Sequence, residues 1–275
     1  MTGEFAPRRL EFWPPHSMRV IDWNIDRGLH LEGIIDFLAA CDADLILLQE
    51  ADLNARRTRH RNIAEDIARD LRMNYVFARE FEELLEGSPS SPAYHGQATL
   101  SRWRLNQPRI LHFHRQSHFW QPHWFVPRIH PFQIRRGGRI ALFTEVEAAG
   151  RRLVTYNLHL ESRGASDLRF AQLEEALSDA SRVAKDMPVL LGGDLNLNAA
   201  RHDVMTELGR NGFRDAFAGL KGSTISRKLL IPGRRIDWEF LRGPVSAERP
   251  EIHRRVHASD HFPLTFTLIF SGKPV

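Results

Sequence analysis

The sequence predicts a single α/β domain, and three observations carry that reading. Short, fully apolar runs of strand length, such as 45–48 and 189–191, alternate along the chain with segments whose apolar residues recur every three or four positions. Neither an internal repeat nor a linker longer than a loop divides the 275 residues, a length that α/β folds of about 250 residues fill as one unit. The composition, 42% apolar and 26% charged, is that of a globular chain, and no apolar run approaches the length that crosses a bilayer.

The elements follow in order. Residues 1–17 lack periodicity and carry three prolines, so they are expected to be an N-terminal extension or poorly packed arm ahead of a domain over 18–275. RVIDWN (19–24) reads as a buried strand, and Leu31, Ile34, Ile35 and Leu38 mark the face of a helix. ADLILLQE (43–50) is a second buried strand, and Ile63, Ile67 and Leu71 mark a second helix. NYVFARE, GQATLS, RIALFTEVE and RLVTYNLHLE read as strands. A long helix then turns Phe170, Leu173, Leu177 and Ala180 inward behind Ser166 as its expected N-cap. MPVLLGGDLN is a buried strand, followed by a helix near 200–210 and strands at 236–241 and 262–270. The segments EGSPSSP (86–92) and 114–138 read as long loops.

Charge is unevenly placed. The net charge is +4, and residues 102–139 hold eight arginines, five histidines, seven aromatics and no carboxylate, leaving the rest of the chain at −4. Such a stretch is the expected footprint of a phosphate-bearing partner, or alternatively a solvated arginine-rich loop. The single cysteine, Cys41, reads as structural and excludes an intrachain disulfide framework or an all-cysteine zinc site. The first residues contain no apolar core of a secretory signal, so a cytoplasmic location is expected.

Chemistry gathers at the strand ends. Asn24 ends the first strand and Glu50 the second. Asn157 and His159 end TYNLHLES, and Asp194 and Asn196 end LLGGDLNLN. Asp237 lies in RRIDWEF, and Asp260 and His261 stand just before the last strand. Each is unremarkable alone, since Asp-Leu-Asn also forms turns and Ser-Asp-His also caps helices. Together they are costly to bury unless they pair with one another, with water or with a metal. Carboxylate and amide oxygens without cysteine suit Mg²⁺ or Mn²⁺ better than zinc.

The ordered set WNIDRG, LLQE, NLHLES, GGDLNLN, RIDW and SDHFPL resembles the endonuclease/exonuclease/phosphatase superfamily across residues 19–270. The resemblance implies a four-layer α/β/β/α sandwich with two mixed β-sheets and a metal-dependent phosphodiesterase site at one edge. It implies Asn24, Glu50 and Asp260 as ligands of Mg²⁺ or Mn²⁺, with Asp26 beside them. Asp194 and Asn196 would orient the attacking water, and His261, steadied by Asp237, would act on the phosphate or nucleophile. His159 would touch the scissile phosphate or support the leaving group.

The chain departs from the family pattern at Gln97, which replaces an asparagine in GQATLSR, and at Trp238-Glu239, where a tyrosine and an apolar residue are usual. Gln97, Asn157, Arg163, Trp120 and Trp124 are the expected substrate contacts. Aromatics interleaved with arginines favour a single-stranded nucleic acid, which points to a nuclease or DNA-end phosphodiesterase acting as a monomer. The alternatives are a phosphoesterase for a lipid head group or small metabolite, with the Trp-rich loop at a lipid surface, and an inactive binding domain.

Overall fold

A computed structural model describes residues 1–7, 14–117, 119, 134–226 and 234–271. In chain order the elements are β1 (Thr2–Gly3), β2 (Ser17–Arg27), α1 (Leu31–Cys41), β3 (Leu45–Leu53), α2 (Ile63–Asp70), β4 (Asn74–Ser88), β5 (Ser91–Ser101), β6 (Arg104–His112) and β7 (Arg135–Gly137). They continue with β8 (Ile140–Ala148), β9 (Arg151–His159), α3 (Ser166–Ala180), β10 (Val189–Asp194), α4 (His202–Arg210), β11 (Arg214–Asp215), β12 (Asp237–Arg242), β13 (Val245–Ile252) and β14 (Leu264–Phe270). The first sheet runs β1-β4-β5-β3-β2-β14-β13, with β7 also on β4, and the second runs β11-β12-β10-β9-β8-β6. Both are mixed, because β2 pairs parallel with β3 and β9 with β10 while the remaining pairs are antiparallel.

Three cores explain the layering. Ile34, Leu38, Ile63 and Ile67 of α1 and α2 cover one face of the first sheet against Ile21, Ile46 and Phe77. Leu173, Leu177, Val204 and Leu208 of α3 and α4 cover the second sheet against Val154, Tyr156 and Leu191. Between the sheets lie Val20, Leu45, Leu47, Leu190, Leu241 and Phe266. With both faces covered, central strands must be apolar on both sides, which is why they appear in the sequence as unbroken runs. The result is the α/β/β/α sandwich.

Local chemistry sets the helix ends. The Asn62 side chain accepts the backbone N–H of Glu65 at 3.2 Å and starts α2. Asp42, in the left-handed region at φ 50°, closes α1. Helix α3 is capped by Ala165, not by Ser166, whose hydroxyl instead accepts from Arg201 at 2.6 Å.

Two further expectations are corrected, and two strands were not anticipated. Residues 1–7 pack more closely than a loose arm: β1 pairs with β4, the terminal amine donates to the Phe77 carbonyl at 2.8 Å, and Phe5 stacks on Tyr75. The EGSPSSP segment is the tip of the β4–β5 hairpin, with Ser88 opposite Ser91, because Pro89 and Ser90 supply a two-residue turn. Strands β6 and β13 were hidden in the sequence because both are sheet edges, polar on their exposed side.

Candidate active site

Period-two alternation along the central strands builds the site. The residues facing the opposite sheet change from apolar to polar along each strand: Val20, Asp22 and Asn24 on β2, Leu45, Leu47 and Gln49 on β3, and Leu190, Gly192 and Asp194 on β10. The register of the second sheet sets Asp194 beside His159 on β9 and Asp237 on β12. Asn24 Nδ2 donates to Asp194 Oδ2 across the gap at 3.1 Å, joining the two sheets at the polar end.

Backbone irregularities aim the side chains. Relative to β5, strand β3 carries one extra residue between Leu48 and Ala51. Glu50 sits in that bulge at φ 58°, which turns its side chain toward the opposite sheet beside Gln49. Asp26 and Arg27, at φ 41° and 68°, occupy the matching bulge of β2, and Asn196 has φ 48°. Non-glycine residues in this region cost about 1–3 kcal/mol each and cluster at functional sites.

Three histidines each face a carboxylate through Nδ1. His261 lies 2.9 Å from Asp237, His159 lies 3.1 Å from Glu80, and His95 lies 3.1 Å from Asp52. Their Nε2 atoms point toward the centre. His261 Nε2 is 3.8 Å from Asp194, His159 Nε2 is 3.7 Å from Asp194 and 3.8 Å from Glu50, and His95 Nε2 is 3.9 Å from Glu50. Among the described residues two groups emerge in which ligand atoms lie within 4.8 Å of one another: Asp194, Asp237 and His261, and Glu50, His95 and His159.

The charges are strongly biased. Burial opposes the His261 imidazolium, but the carboxylates of Asp237 and Asp194 outweigh it and push the pKa up to about 10. Burial alone would raise the Glu50 pKa, yet His95, His159 and Arg27 hold it well below the usual carboxylate range. Beneath the site, burial and the neighbouring Asp22 push the Glu239 carboxyl well up, and neither Glu239 oxygen has a hydrogen-bond donor.

The expected residues divide into those that converge and those that do not. Asn24, Glu50, His159, Asp194, Asp237 and His261 converge. Asn196 supports Asp194, its backbone N–H donating to Asp194 Oδ1 at 3.0 Å while its amide reaches the Leu160 carbonyl at 3.2 Å. Asp26 pairs with Arg27, and Asp260 lies next to His261; neither is in the two convergent groups.

Gln97 and Asn157 are fully buried, and their amides donate to the backbone carbonyls of Ile140 and of Leu48 and Ala98. They hold the two sheets together, a correction to their expected contact with substrate. Arg163 is exposed and lies over the Phe119 ring at 5.1 Å. Trp120 and Trp124 lie outside the described residues. His95, Asp52, Glu80 and Arg139 were not singled out, because no sequence spacing links them; the only hint was four polar residues within otherwise apolar strand runs.

Among the described residues, five arginines of the basic stretch are compensated in space. Arg109 pairs with Asp179, Arg135 with Glu83, Arg136 with Glu82, Arg139 with Glu80, and Arg102 with Asp42. The carboxylates come from other elements, so a count along the chain missed them. A different set of cations flanks the site. The turn after β3 carries the exposed Arg56 and Arg59, and Arg59, His30 and His257 line a cleft that reaches Gly28 at the end of β2.

Comparison with known proteins follows this geometry. A sequence model of the Endonuclease/Exonuclease/phosphatase family matches residues 23–261. No curated protein matches the chain. Among solved structures, an endonuclease/exonuclease/phosphatase from Beutenbergia cavernae is 18% identical, with a TM-score of 0.69 over 95% of this chain and 73% of its own. TDP2 from Caenorhabditis elegans is 20% identical, with a TM-score of 0.62 over 92% of this chain and 74% of its own. An endonuclease/exonuclease/phosphatase from Bacteroides vulgatus is 16% identical, with a TM-score of 0.66 over 93% of this chain and 100% of its own. No helix among the described residues is long and apolar enough to cross a membrane.

Proposed function

The chain belongs to the endonuclease/exonuclease/phosphatase family, and we propose that it is a divalent-metal-dependent phosphodiesterase acting on nucleic acid. The observation that carries the reading is the convergence of an Asp237-backed imidazolium, His261, with Asp194, Asn24 and Glu50 at one end of the inter-sheet layer. Asn24 and Glu50 themselves offer oxygen donors, a chemistry that fits Mg²⁺ or Mn²⁺. Asn24 and Glu50 would hold the ion, with Asp260 and Asp26 at its margin. Bound there, it would neutralise phosphate charge and lower the pKa of water.

The chain's own residues supply the rest. Asp194, whose carboxylate is fixed by Asn24 and by the Asn196 N–H, accepts a proton from the attacking water and orients it. His261 offers Nε2–H to a non-bridging phosphoryl oxygen, where negative charge grows in the transition state. Asp237 keeps that ring oriented and charged. His159, at 3.7 Å from Asp194, lies on the other side of the same carboxylate and faces the phosphate or leaving group. No serine or cysteine takes part, so water attacks directly.

Nucleic acid as substrate is supported by the exposed Arg56 and Arg59 beside the cleft, which suit successive phosphates of a strand. The test is a divalent-metal screen against single-stranded oligonucleotide, plasmid, bis-p-nitrophenyl phosphate and sphingomyelin. Metal-dependent cleavage of the oligonucleotide or plasmid is expected. Cleavage of sphingomyelin alone would move the substrate to a lipid head group, and no cleavage of any phosphoester would overturn the reading.

A further inference from the structure

Glu50 has a second neighbourhood, of which the proposed phosphodiester chemistry uses only His159. His95, on β5, is fully buried, and its Nε2 has no hydrogen-bond partner although it lies 3.9 Å from Glu50 Oε2. A ring nitrogen left unpaired in the interior is unfavourable, which invites a ligand. On the other side of the same carboxylate, His159 Nε2 lies 3.8 Å from Glu50 Oε1.

Both rings are set by a carboxylate behind them. Asp52 accepts from His95 Nδ1, and Glu80 accepts from His159 Nδ1, each at 3.1 Å. That pairing leaves each Nε2 as an acceptor on the Glu50 side of its ring, open in His95 and met by Arg139 Nη1 in His159, the carboxylate–histidine arrangement by which proteins orient imidazole ligands of metals. Asp52 is itself clamped by Arg57 at 2.7 and 2.8 Å, so the support extends another layer outward.

We propose that Glu50, His95 and His159 form a site for a first-row transition ion of the Zn²⁺ class, distinct in donor chemistry from the oxygen-donor position at Asn24 and Glu50. The reading shares Glu50 and His159 with the proposed function, and with an ion on its Nε2 His159 no longer faces the phosphate directly. Two donors at about 2.1 Å from one ion stand roughly 3–4.2 Å apart, so the observed separations to Glu50 fall in range. The two imidazoles, within 4.8 Å, need to draw together by a few tenths of an ångström. Arg139 Nη1 lies 2.8 Å from His159 Nε2, and an ion takes over that one contact while Arg139 keeps Glu80 and Ser162. Two imidazoles and one carboxylate select Zn²⁺ or Co²⁺ over Mg²⁺, which prefers oxygen.

The test uses the full chain stripped with a chelator and then titrated with Co²⁺ in millimolar Mg²⁺. A nitrogen-ligated Co²⁺ absorption spectrum is expected, retained against Mg²⁺ and lost on adding Zn²⁺. Asp52→Asn should weaken Co²⁺ binding by roughly 10–100-fold, and His95→Gln by more. Should His95→Gln fail to fold, zinc-edge X-ray absorption on the wild-type protein reads the donors directly, with two imidazoles expected. One imidazole or none, complete displacement by Mg²⁺, or unchanged binding in a folded His95→Gln would overturn the site. Cleavage with Mg²⁺ by a protein showing one imidazole removes this site and keeps the proposed function. Co²⁺ on two imidazoles with no phosphoester cleavage under any cation keeps the site and removes the function.

Discussion

His261 Nδ1 lies 2.9 Å from Asp237 Oδ1 and 3.0 Å from Oδ2, with both residues buried between the two sheets. In the proposed mechanism the pair acts as one unit, Asp237 reaching substrate only through the ring. Asp237→Asn and His261→Ala should therefore be strongly non-additive, with the double variant losing little more rate than His261→Ala alone. Single-turnover rates of all three variants measure this, and losses that multiply would place the two residues in separate roles.

Glu50 and Asp194 should differ in stability while sharing a loss of activity. Glu50 stands among His95, His159 and Arg27, so its negative charge is favourable; Asp194 opposes the charge of Asp22 and lies close to Asp237 but favours the His261 imidazolium, so its contributions offset. In metal-free buffer Glu50→Gln should lower the melting temperature by several degrees, as a loss of about 1–3 kcal/mol does in a chain of this size. Asp194→Asn should leave it unchanged or raise it. Differential scanning calorimetry of the two apo variants distinguishes them, and the opposite order would contradict the charge assignment.

Glu239 offers a test by pH. Its carboxyl is pushed up by burial first and by Asp22 second, so the folded state holds a proton that the unfolded chain releases near the ordinary carboxylate pKa. The stability this contributes is present at low pH and is lost as pH rises through the folded pKa. Glu239→Gln mimics the protonated acid, so its advantage over the wild type should grow between pH 5 and pH 8, read by urea denaturation. Gly192 belongs to the same packing, since a Cβ there would lie 2.3 Å from the Glu239 carboxylate. Gly192→Ala should destabilise the protein, and Glu239→Ala should relieve much of the defect.

Arg135 and Arg136 should matter to stability before they matter to binding. Arg135 pairs with the buried Glu83 at 3.0 Å, and Arg136 pairs with Glu82. Arg135→Ala should cost about 1–3 kcal/mol by stranding that carboxylate, moderated because Arg57 also reaches Glu83. The salt dependence of oligonucleotide binding should hardly change in either variant. Arg56→Ala and Arg59→Ala together should flatten the log–log slope by roughly one unit or more, since each single-strand phosphate contact contributes about 0.7. Binding measured across a salt series checks both statements.

What could be read from the sequence follows a physical boundary. Central strands were legible because both faces are covered, and their terminal Asn24, Glu50, His159 and Asp194 stood out as polar residues ending apolar runs. The ordered motifs then carried the two-sheet architecture, which alternation alone does not specify. Edge strands β6 and β13 were missed because one polar side leaves too weak a pattern. A count along the chain overstated the free charge of the described arginines in the basic stretch, because ion pairs such as Arg109 with Asp179 join residues far apart in the chain. His95 was invisible for the same reason: only the fold brings Asp52 and Glu50 to its two ring nitrogens.

The central claim is tested most directly by following hydrolysis of bis-p-nitrophenyl phosphate and a single-stranded oligonucleotide by wild type and Asp194→Asn, first in EDTA and then with Mg²⁺ or Mn²⁺ restored. Wild type should be silent in EDTA and recover with the cation. Asp194→Asn, folded by circular dichroism, should stay reduced by roughly a hundredfold or more under both cations, in line with loss of a general base. Full turnover in EDTA, or wild-type rates from folded Asp194→Asn, would contradict a metal-dependent phosphodiesterase centred on these residues.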